Sequence, residues 1–391
     1  MDQPIYLDHN ATTPMLLPVV EAMSEAMRAG YANPASQHGA GRRARRVVED
    51  AREQIIRLLG GDTSGRQPDR LIFTSGGTEA NNLALFGLAG SPVGAAKRLV
   101  TTGIEHPSIA AAADELARRG WQIERLPVDR SGVVDPQSLA PLLEQPSSMV
   151  SVMLGNNETG AIQPVGELAT LATAAGVPMH TDAVQVVGKL AVDFRTLGVD
   201  LLSFTAHKLH GPLGIGALLL RGETPLAPQL FGGFQQAGLR PGTESAPLVV
   251  GMLTALECWH AEQAARREHL AKLRDRFEQQ ITAGCPQVVV VSKDTERLPH
   301  TSNLAFVGFD RQALFLALDM EQVACSTGSA CASGSSEPSP VLLSMGLPEE
   351  QIGGSLRFSF ATETTLAEVD EAVRRILLVC KRLEQQNTLR K

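Results

Sequence analysis

The sequence predicts an α/β protein built around a mostly parallel sheet, and three observations carry that reading. Six short runs, at residues 70–74, 98–102, 149–154, 177–181, 201–205 and 215–220, are apolar almost throughout. Strands buried on both faces have this composition, whereas half-exposed strands alternate. Stretches with helical spacing separate the runs, and strand–helix alternation builds parallel sheets. The third observation is a change of pattern after about residue 248. A long polar helix over 248–283 carries Glu257, Glu262, Arg266 and Arg267, and is followed by strands near 288–291, 302–306 and 355–360 and a closing helix. The long helix is expected to bridge to a second, α+β domain.

Each element has a local reason. In the closing helix Thr365 and Glu368 form a capping box, and Leu366, Val369, Val373, Ile376, Leu377 and Cys380 follow at helical spacing. Cys380 is therefore expected in the core, and Cys258 and Cys285, without polar neighbours, are expected there too. Arg42, Arg43, Arg45 and Arg46 are followed closely by Glu49, Asp50 and Glu53, the pattern of a solvated helix face. No internal repeat is visible, and low complexity is confined to the Gly/Ser stretch at 326–339.

Composition excludes several function classes. The 391 residues are 43% hydrophobic and 20% charged, as in a folded, water-soluble chain long enough for two or three domains. A formal charge of -7 offers no broad basic surface, so no direct nucleic-acid binding is expected. No run approaches the roughly 20 apolar residues that span a bilayer, and the N-terminus lacks the basic and apolar regions of a secretory signal. No membrane association and a cytoplasmic location are expected. The five cysteines form no CxxC pair, which argues against a disulfide framework and against a metal site of the zinc-ribbon kind.

Ligands of open α/β sheets gather beyond the carboxyl ends of the strands, and the residues there carry chemistry. One strand runs into His207-Lys208-Leu209-His210-Gly211. A lysine becomes a carbonyl nucleophile when an apolar or cationic setting lowers its pKa, so Lys208 is a candidate anchor for an aldehyde cofactor; a structural lysine at the sheet edge is the alternative. The sequence Phe73-Thr74-Ser75-Gly76-Gly77-Thr78-Glu79-Ala80-Asn81 reads as strand, glycine turn and helix start, where free N–H groups suit a phosphate or form an ordinary turn capped by Thr78. Asp182, in His180-Thr181-Asp182-Ala183-Val184-Gln185, is placed either to keep a pyridine nitrogen protonated or to cap a turn. Cys331 lies in a segment too rich in Gly and Ser to pack as a core strand, so its thiol is expected to be exposed. Cys325 is expected to be structural, with a resolving or metal-touching role as the alternative.

Taken together, these motifs resemble the NifS/IscS-like cysteine desulfurases of the class V aminotransferase group over nearly the whole chain. The resemblance rests on Tyr6-Leu7-Asp8-His9-Asn10-Ala11-Thr12-Thr13-Pro14, Asn33-Pro34-Ala35-Ser36-Gln37-His38, Thr74 to Glu79, Glu105-His106-Pro107, Asn156-Asn157-Glu158, Asp182 to Gln185, His207-Lys208, Arg240-Pro241-Gly242-Thr243, Gly328-Ser329-Ala330-Cys331 and Arg357-Phe358-Ser359. It implies the pyridoxal-phosphate-dependent transferase architecture of fold type I. A large domain (15–259) would hold a mainly parallel seven-stranded sheet, and a smaller α+β domain (1–14 and 260–391) would carry the catalytic cysteine loop at about 325–339.

The resemblance also implies roles. Lys208 would be the Schiff-base lysine, and Gly77, Thr78, Thr205 and His207 would be phosphate ligands, with Thr243 reaching the phosphate of the neighbouring subunit in a homodimer. Asp182 would pair with the ring nitrogen of pyridoxal 5'-phosphate, Gln185 and Asn157 would hold its phenolic oxygen side, and His106 would stack on the ring and help move protons. Arg357 would bind the substrate carboxylate, a task that suits a planar fork. Cys331 would take sulfur from L-cysteine as a persulfide, leaving L-alanine, and pass it to an acceptor such as an iron-sulfur scaffold or a thiolation enzyme. Rival readings are another class V enzyme, such as an aminotransferase or a selenocysteine lyase, and a non-catalytic sulfur-relay protein. One departure is visible: before Arg240 the chain has Gly232-Gly233-Phe234-Gln235-Gln236-Ala237-Gly238 where the family usually shows a glycine-rich run with Gln-Glu, so an acidic side chain is lost and Phe234 is gained.

Overall fold

The computed structural model describes residues 3–328 and 337–390, so Cys331 lies outside the described residues. Its strands are β1 (Ile5–Tyr6), β2 (Arg70–Thr74), β3 (Arg98–Thr102), β4 (Gln122–Leu126), β5 (Met149–Ser151), β6 (Met179–Asp182), β7 (Leu201–Thr205), β8 (Gly216–Leu220), β9 (Val288–Val290), β10 (Thr301–Phe306), β11 (Val323–Ala324) and β12 (Ser355–Ser359). The central sheet has seven strands in the order β2-β8-β7-β6-β5-β3-β4. All are parallel except β8, which runs antiparallel to both β2 and β7. The expected α/β class and mainly parallel seven-stranded sheet are what the chain forms.

All six apolar runs supply strands of this sheet, and β3, β7 and β8 are buried at every position. The run at 149–154 is shorter as a strand than its composition suggests. Pairing ends at Ser151, and Val152 to Leu154 stay buried as the chain turns toward the strand ends. The seventh strand, β4, left no apolar run because it is open to solvent: only Leu126 is fully buried, and Gln122 and Arg125 are exposed.

A three-stranded antiparallel sheet, β12-β10-β9, and the parallel pair β1-β11 form the second centre. Its core joins Phe277, Phe306, Phe358 and Phe360 with Ile5 and Leu7 from the other end of the chain. The helix Ala246–Gly284 connects the two cores. Val249, Met252 and Leu256 pack on the central sheet, Leu270, Leu273, Phe277 and Ile281 pack in the second core, and the helical path breaks between them at Glu262, with φ −129°. The capping box forms as expected, with Glu368 N–H donating to Thr365 Oγ1 at 3.2 Å and Thr365 N–H to Glu368 Oε2 at 2.8 Å. Cys285, Cys325 and Cys380 are buried, and Cys258 is only half-buried. The arginines of the run 42–46 lie exposed on their helix.

Candidate active site

The parallel strands point their carboxyl ends at one cavity of about 230 Å³, and the sequence motifs meet there. Around it stand Gly77 and Thr78 after β2, His106 after β3, Asn157 after β5, Asp182 and Gln185 at the end of β6, and Thr205, His207 and Lys208 at the end of β7. Two expected residues lie elsewhere. Thr243 is exposed on the loop before the long helix, and Arg357 is buried on β12 beside the cavity. A larger cleft of about 780 Å³ lies along 288–294, and none of the strand-end motifs reaches it.

The turn after β2 is built for close approach. The antiparallel β8 begins against it so tightly that a Cβ on Gly216 would stand 2.5 Å from the backbone carbon of Gly76. A Cβ on Gly77 would stand 3.0 Å from Val184 Cγ2. The helix Gly77–Ala89 starts here, and its first N–H groups have no intrahelical acceptor. They open onto the cavity beside the Thr78 side chain.

Lys208 sits in a short 3-10 turn, Ala206–Lys208, that ends β7. Its Nζ donates to the backbone carbonyls of Asn10 and Ala11, the latter at 2.7 Å. Burial pushes the amine down to about 8, and the nearby Arg357 guanidinium adds to this while Asp8 and Asp182 oppose it. Its neighbour His207 is pushed down to about 4 by burial and by Lys208. Behind the turn, Lys189 Nζ donates to the backbone carbonyl of Lys208 at 2.7 Å and fixes its path.

The N-terminal motif ties the two centres together. Asn10 Nδ2 donates to the Asn157 carbonyl (3.1 Å) and to Thr301 Oγ1 (2.9 Å), Asn10 N–H donates to Ser359 Oγ (2.8 Å), and the Asn10 carbonyl accepts from Gln185 Nε2 (3.1 Å). Arg357 donates to the Asn157 carbonyl at 2.9 Å and pairs with Asp8 at 2.6 Å. Asp8 and Asn10 were given no individual role from sequence, although both stand in the motif Tyr6 to Pro14. Asn81 and Ser108, which no sequence motif singles out, also line the cavity.

Two groups near the cavity hold unusual protonation states. Burial pushes the Glu105 carboxyl up to about 8; its Oε1 accepts from Thr102 Oγ1 at 2.7 Å and from Met153 N–H at 3.0 Å. Burial also holds His106 below the ordinary imidazole range, with Asp182 opposing and Lys208 adding to the effect.

The departure before Arg240 has a structural counterpart. Gln236 accepts from Phe73 N–H at 2.7 Å and donates to the Phe73 carbonyl at 2.8 Å, so its amide closes the edge of β2 as another strand would. A carboxylate has no proton for the second bond. Gln236 and Ala237 reach this position with φ +49° and +58°, and Phe234 is left 95% exposed.

The donor set fits pyridoxal 5'-phosphate. Asn157 Oδ1 and Arg357 Nε are buried without a hydrogen-bond partner among the described residues, the helix start offers unspent N–H groups, and Asp182 faces the cavity with a carboxylate.

Comparison with known proteins follows the same line. The family described as Aminotransferase class-V matches residues 5–372. A protein named cysteine desulfurase IscS from Dictyoglomus turgidum is 40% identical over 370 residues, 95% of this chain and 93% of that protein. Cysteine desulfurase NifS from Azotobacter vinelandii is 39% identical over 375 residues, 95% of this chain and 91% of its own. Among solved structures, a NifS-like protein from Rickettsia africae superposes with a TM-score of 0.88 at 29% identity, covering 97% of this chain and all of that one. A structure described as SspA in complex with cysteine has a TM-score of 0.80 at 30% identity and covers 92% of this chain and all of its own.

Proposed function

The chain belongs to the class-V aminotransferase family, and from that premise we propose that it is a pyridoxal-phosphate-dependent cysteine desulfurase. The observation that carries this is the convergence of Lys208, Asp182 and a helix N-terminus on one cavity, with the Arg357 guanidinium beside it. Bound there, pyridoxal 5'-phosphate would supply an aldehyde carbon for amino groups and a ring that takes up the electron pair of a broken bond.

The chain's own residues supply the rest. Gly77 and Thr78 would offer N–H groups and a hydroxyl to the phosphate, joined by Thr205 and His207. Asp182 would keep a proton on the ring nitrogen, Asn157 and Gln185 would hold the phenolic oxygen side, and His106 would stack on the ring. Lys208, pushed down to about 8, has a substantial neutral fraction near physiological pH, so its lone pair is available to the aldehyde carbon. Arg357, steadied by Asp8, presents its unspent Nε to the substrate carboxylate. The Cys331 thiolate attacks the substrate sulfur. The substrate's carbon–sulfur bond breaks, its electron pair stays with the carbon and is protonated, and L-cysteine leaves as L-alanine with one sulfur added to Cys331 as a persulfide.

A homodimer belongs to this proposal. Arg240 is held by Glu79 at 2.7 Å, and the loop between it and the long helix exposes Thr243, while nearby Phe231 is 89% exposed. An exposed threonine hydroxyl and an exposed aromatic ring on neighbouring loop segments suit a second copy of the chain. The division into 15–259 and 1–14 with 260–391 is the domain frame of the proposal. Acceptors would be iron-sulfur scaffold or thiolation proteins, met in the cytoplasm; no helix among the described residues is long and apolar enough to cross a membrane.

The test is to incubate cofactor-loaded protein with L-cysteine and a thiol reductant and to measure alanine and sulfide together. They should appear in equal amounts, and Cys331→Ser should lower both by orders of magnitude, because a hydroxyl cannot hold a persulfide. Full alanine production by Cys331→Ser would put the lyase or aminotransferase reading ahead.

A further inference from the structure

Two polar side chains in the cavity wall, Asn81 and Ser108, have no part in the chemistry above, yet they join Asp182 to His106. Asp182 Oδ1 accepts from Val184 N–H at 2.9 Å, and Oδ2 lies 2.7 Å from Asn81 Nδ2. A carboxylate only accepts hydrogen bonds, so the Asn81 amide must turn its NH2 group toward Asp182. Its oxygen end is left buried without a partner among the described residues, which shows how firmly the carboxylate dictates the orientation. The same Nδ2 lies 2.8 Å from Ser108 Oγ and donates its second proton there.

Direction is now fixed along the row. Ser108 Oγ receives a proton from Asn81 and has one of its own, and His106 Nδ1 lies 2.7 Å away to accept it. Ser108 N–H reaches the same Nδ1 at 3.1 Å. A ring nitrogen that accepts two hydrogen bonds carries no proton, so the neutral ring keeps its proton on Nε2.

We propose that Asn81 and Ser108 are positioning residues that transmit the fixed charge of Asp182 to His106, locking the imidazole as the Nε2–H tautomer so that it serves the cavity as a hydrogen-bond donor. The charged groups around the ring are Asp182, Lys208, Glu158 and Arg357, and burial outweighs each of them in keeping the ring neutral. Ser108 must turn its hydroxyl away, and its N–H must part from the ring, before Nδ1 can take up a proton. His106 thus differs from a freely exchanging base, and its protonation follows the state of a carboxylate it does not touch.

The proposal rests on the cavity being the active site only for its catalytic meaning, because the hydrogen-bond row is read by spectroscopy. Cofactor-loaded protein labelled with 15N in its histidine rings is titrated by NMR, and His106→Gln assigns the signal among the nine histidines. Wild type should show an unprotonated Nδ1 and a protonated Nε2 from about pH 6 to about pH 8. A protonated Nδ1 in neutral wild-type His106 overturns the proposal without any variant.

Asn81→Asp tests the direction of the row. A carboxyl oxygen in place of Nδ2 has at most one proton, so it cannot donate to both Asp182 and Ser108. Ser108 must then donate to it and present a lone pair to His106, leaving Nδ1 with the Ser108 N–H as its one donor here, which should move the titration midpoint up by about one unit or more. Adding Ser108→Ala should cancel most of that shift. An unmoved midpoint in Asn81→Asp, or the same shift with Ser108→Ala present, would refute the transmission. Failure of the desulfurase reading would appear instead as absent alanine with the histidine spectrum unchanged.

Discussion

The two faces of the sheet β12-β10-β9 do different work with the same strands. On one face Leu304, Phe306, Leu356 and Phe358 close a dry core against Phe277, whose ring centroid lies 4.9 Å from that of Phe358. On the other, register pairs Asn303 with Arg357 and Thr301 with Ser359; Thr301, Ser359 and Arg357 hold Asn10, Asn157 and Asp8 beside the cavity, and Asn303 holds the Glu158 carbonyl. Both faces are buried, so the alternation in Ser355-Leu356-Arg357-Phe358-Ser359 does not separate water from core. It separates a core that stabilises from a polar layer that positions. The apolar face is expected to govern folding and the polar face substrate handling, and each expectation can be broken separately.

The largest effect should come from the apolar face. Phe277→Ala removes a fully buried ring and should cost about 3–5 kcal/mol of stability in chemical denaturation, while kcat/KM per folded molecule stays near wild type. A loss of specific activity larger than the loss of stability would show that the two faces are not separate.

Next in size is Arg357→Lys. The substitution keeps a positive charge near Asp8 but loses the planar fork, so KM for L-cysteine should rise about 10–100-fold, or about 1.4–2.7 kcal/mol of binding. The unfolding midpoint should barely move. Destabilisation on the scale of Phe277→Ala with an unchanged KM would make Arg357 a structural residue.

The smallest effect links the polar face to Lys208. A protonated amine cannot attack an aldehyde, and burial, with Arg357 second, pushes Lys208 down to about 8. Loading of the apo protein with pyridoxal 5'-phosphate, followed by absorbance, should therefore speed up as pH rises through about 8 and level off above it, with Lys208→Ala giving no linked absorbance. Arg357→Gln removes a cation that disfavours the protonated amine. The midpoint should move to higher pH, and a move in the other direction would deny that Arg357 and Lys208 sense one another.

The same contrast separates what was legible in the sequence from what was not. Strands β2, β3 and β7 and the chemistry at their ends could be read from the chain, because burial on both faces leaves a continuous apolar run and a glycine turn or a lysine after such a run is unusual locally. Strand β4 could not, since only Leu126 of Gln122 to Leu126 is buried and the rest leaves no such mark. Arg357 could be assigned a role by resemblance, but nothing in its local sequence marks it as buried. What buries it is Asp8, 349 residues away, and the Asn157 carbonyl. The Asn81–Asp182 bond likewise spans 101 residues. By itself the sequence determined the sheet class, the strand-end motifs and the family, because these depend on burial, turn chemistry and residue order along short segments. Only the tertiary structure decided which way Asn81 and Ser108 donate, what pairs with Arg357 and how Gln236 closes the edge of β2. A hydrogen bond's direction depends on the partner opposite, and here each partner arrives from a distant part of the chain.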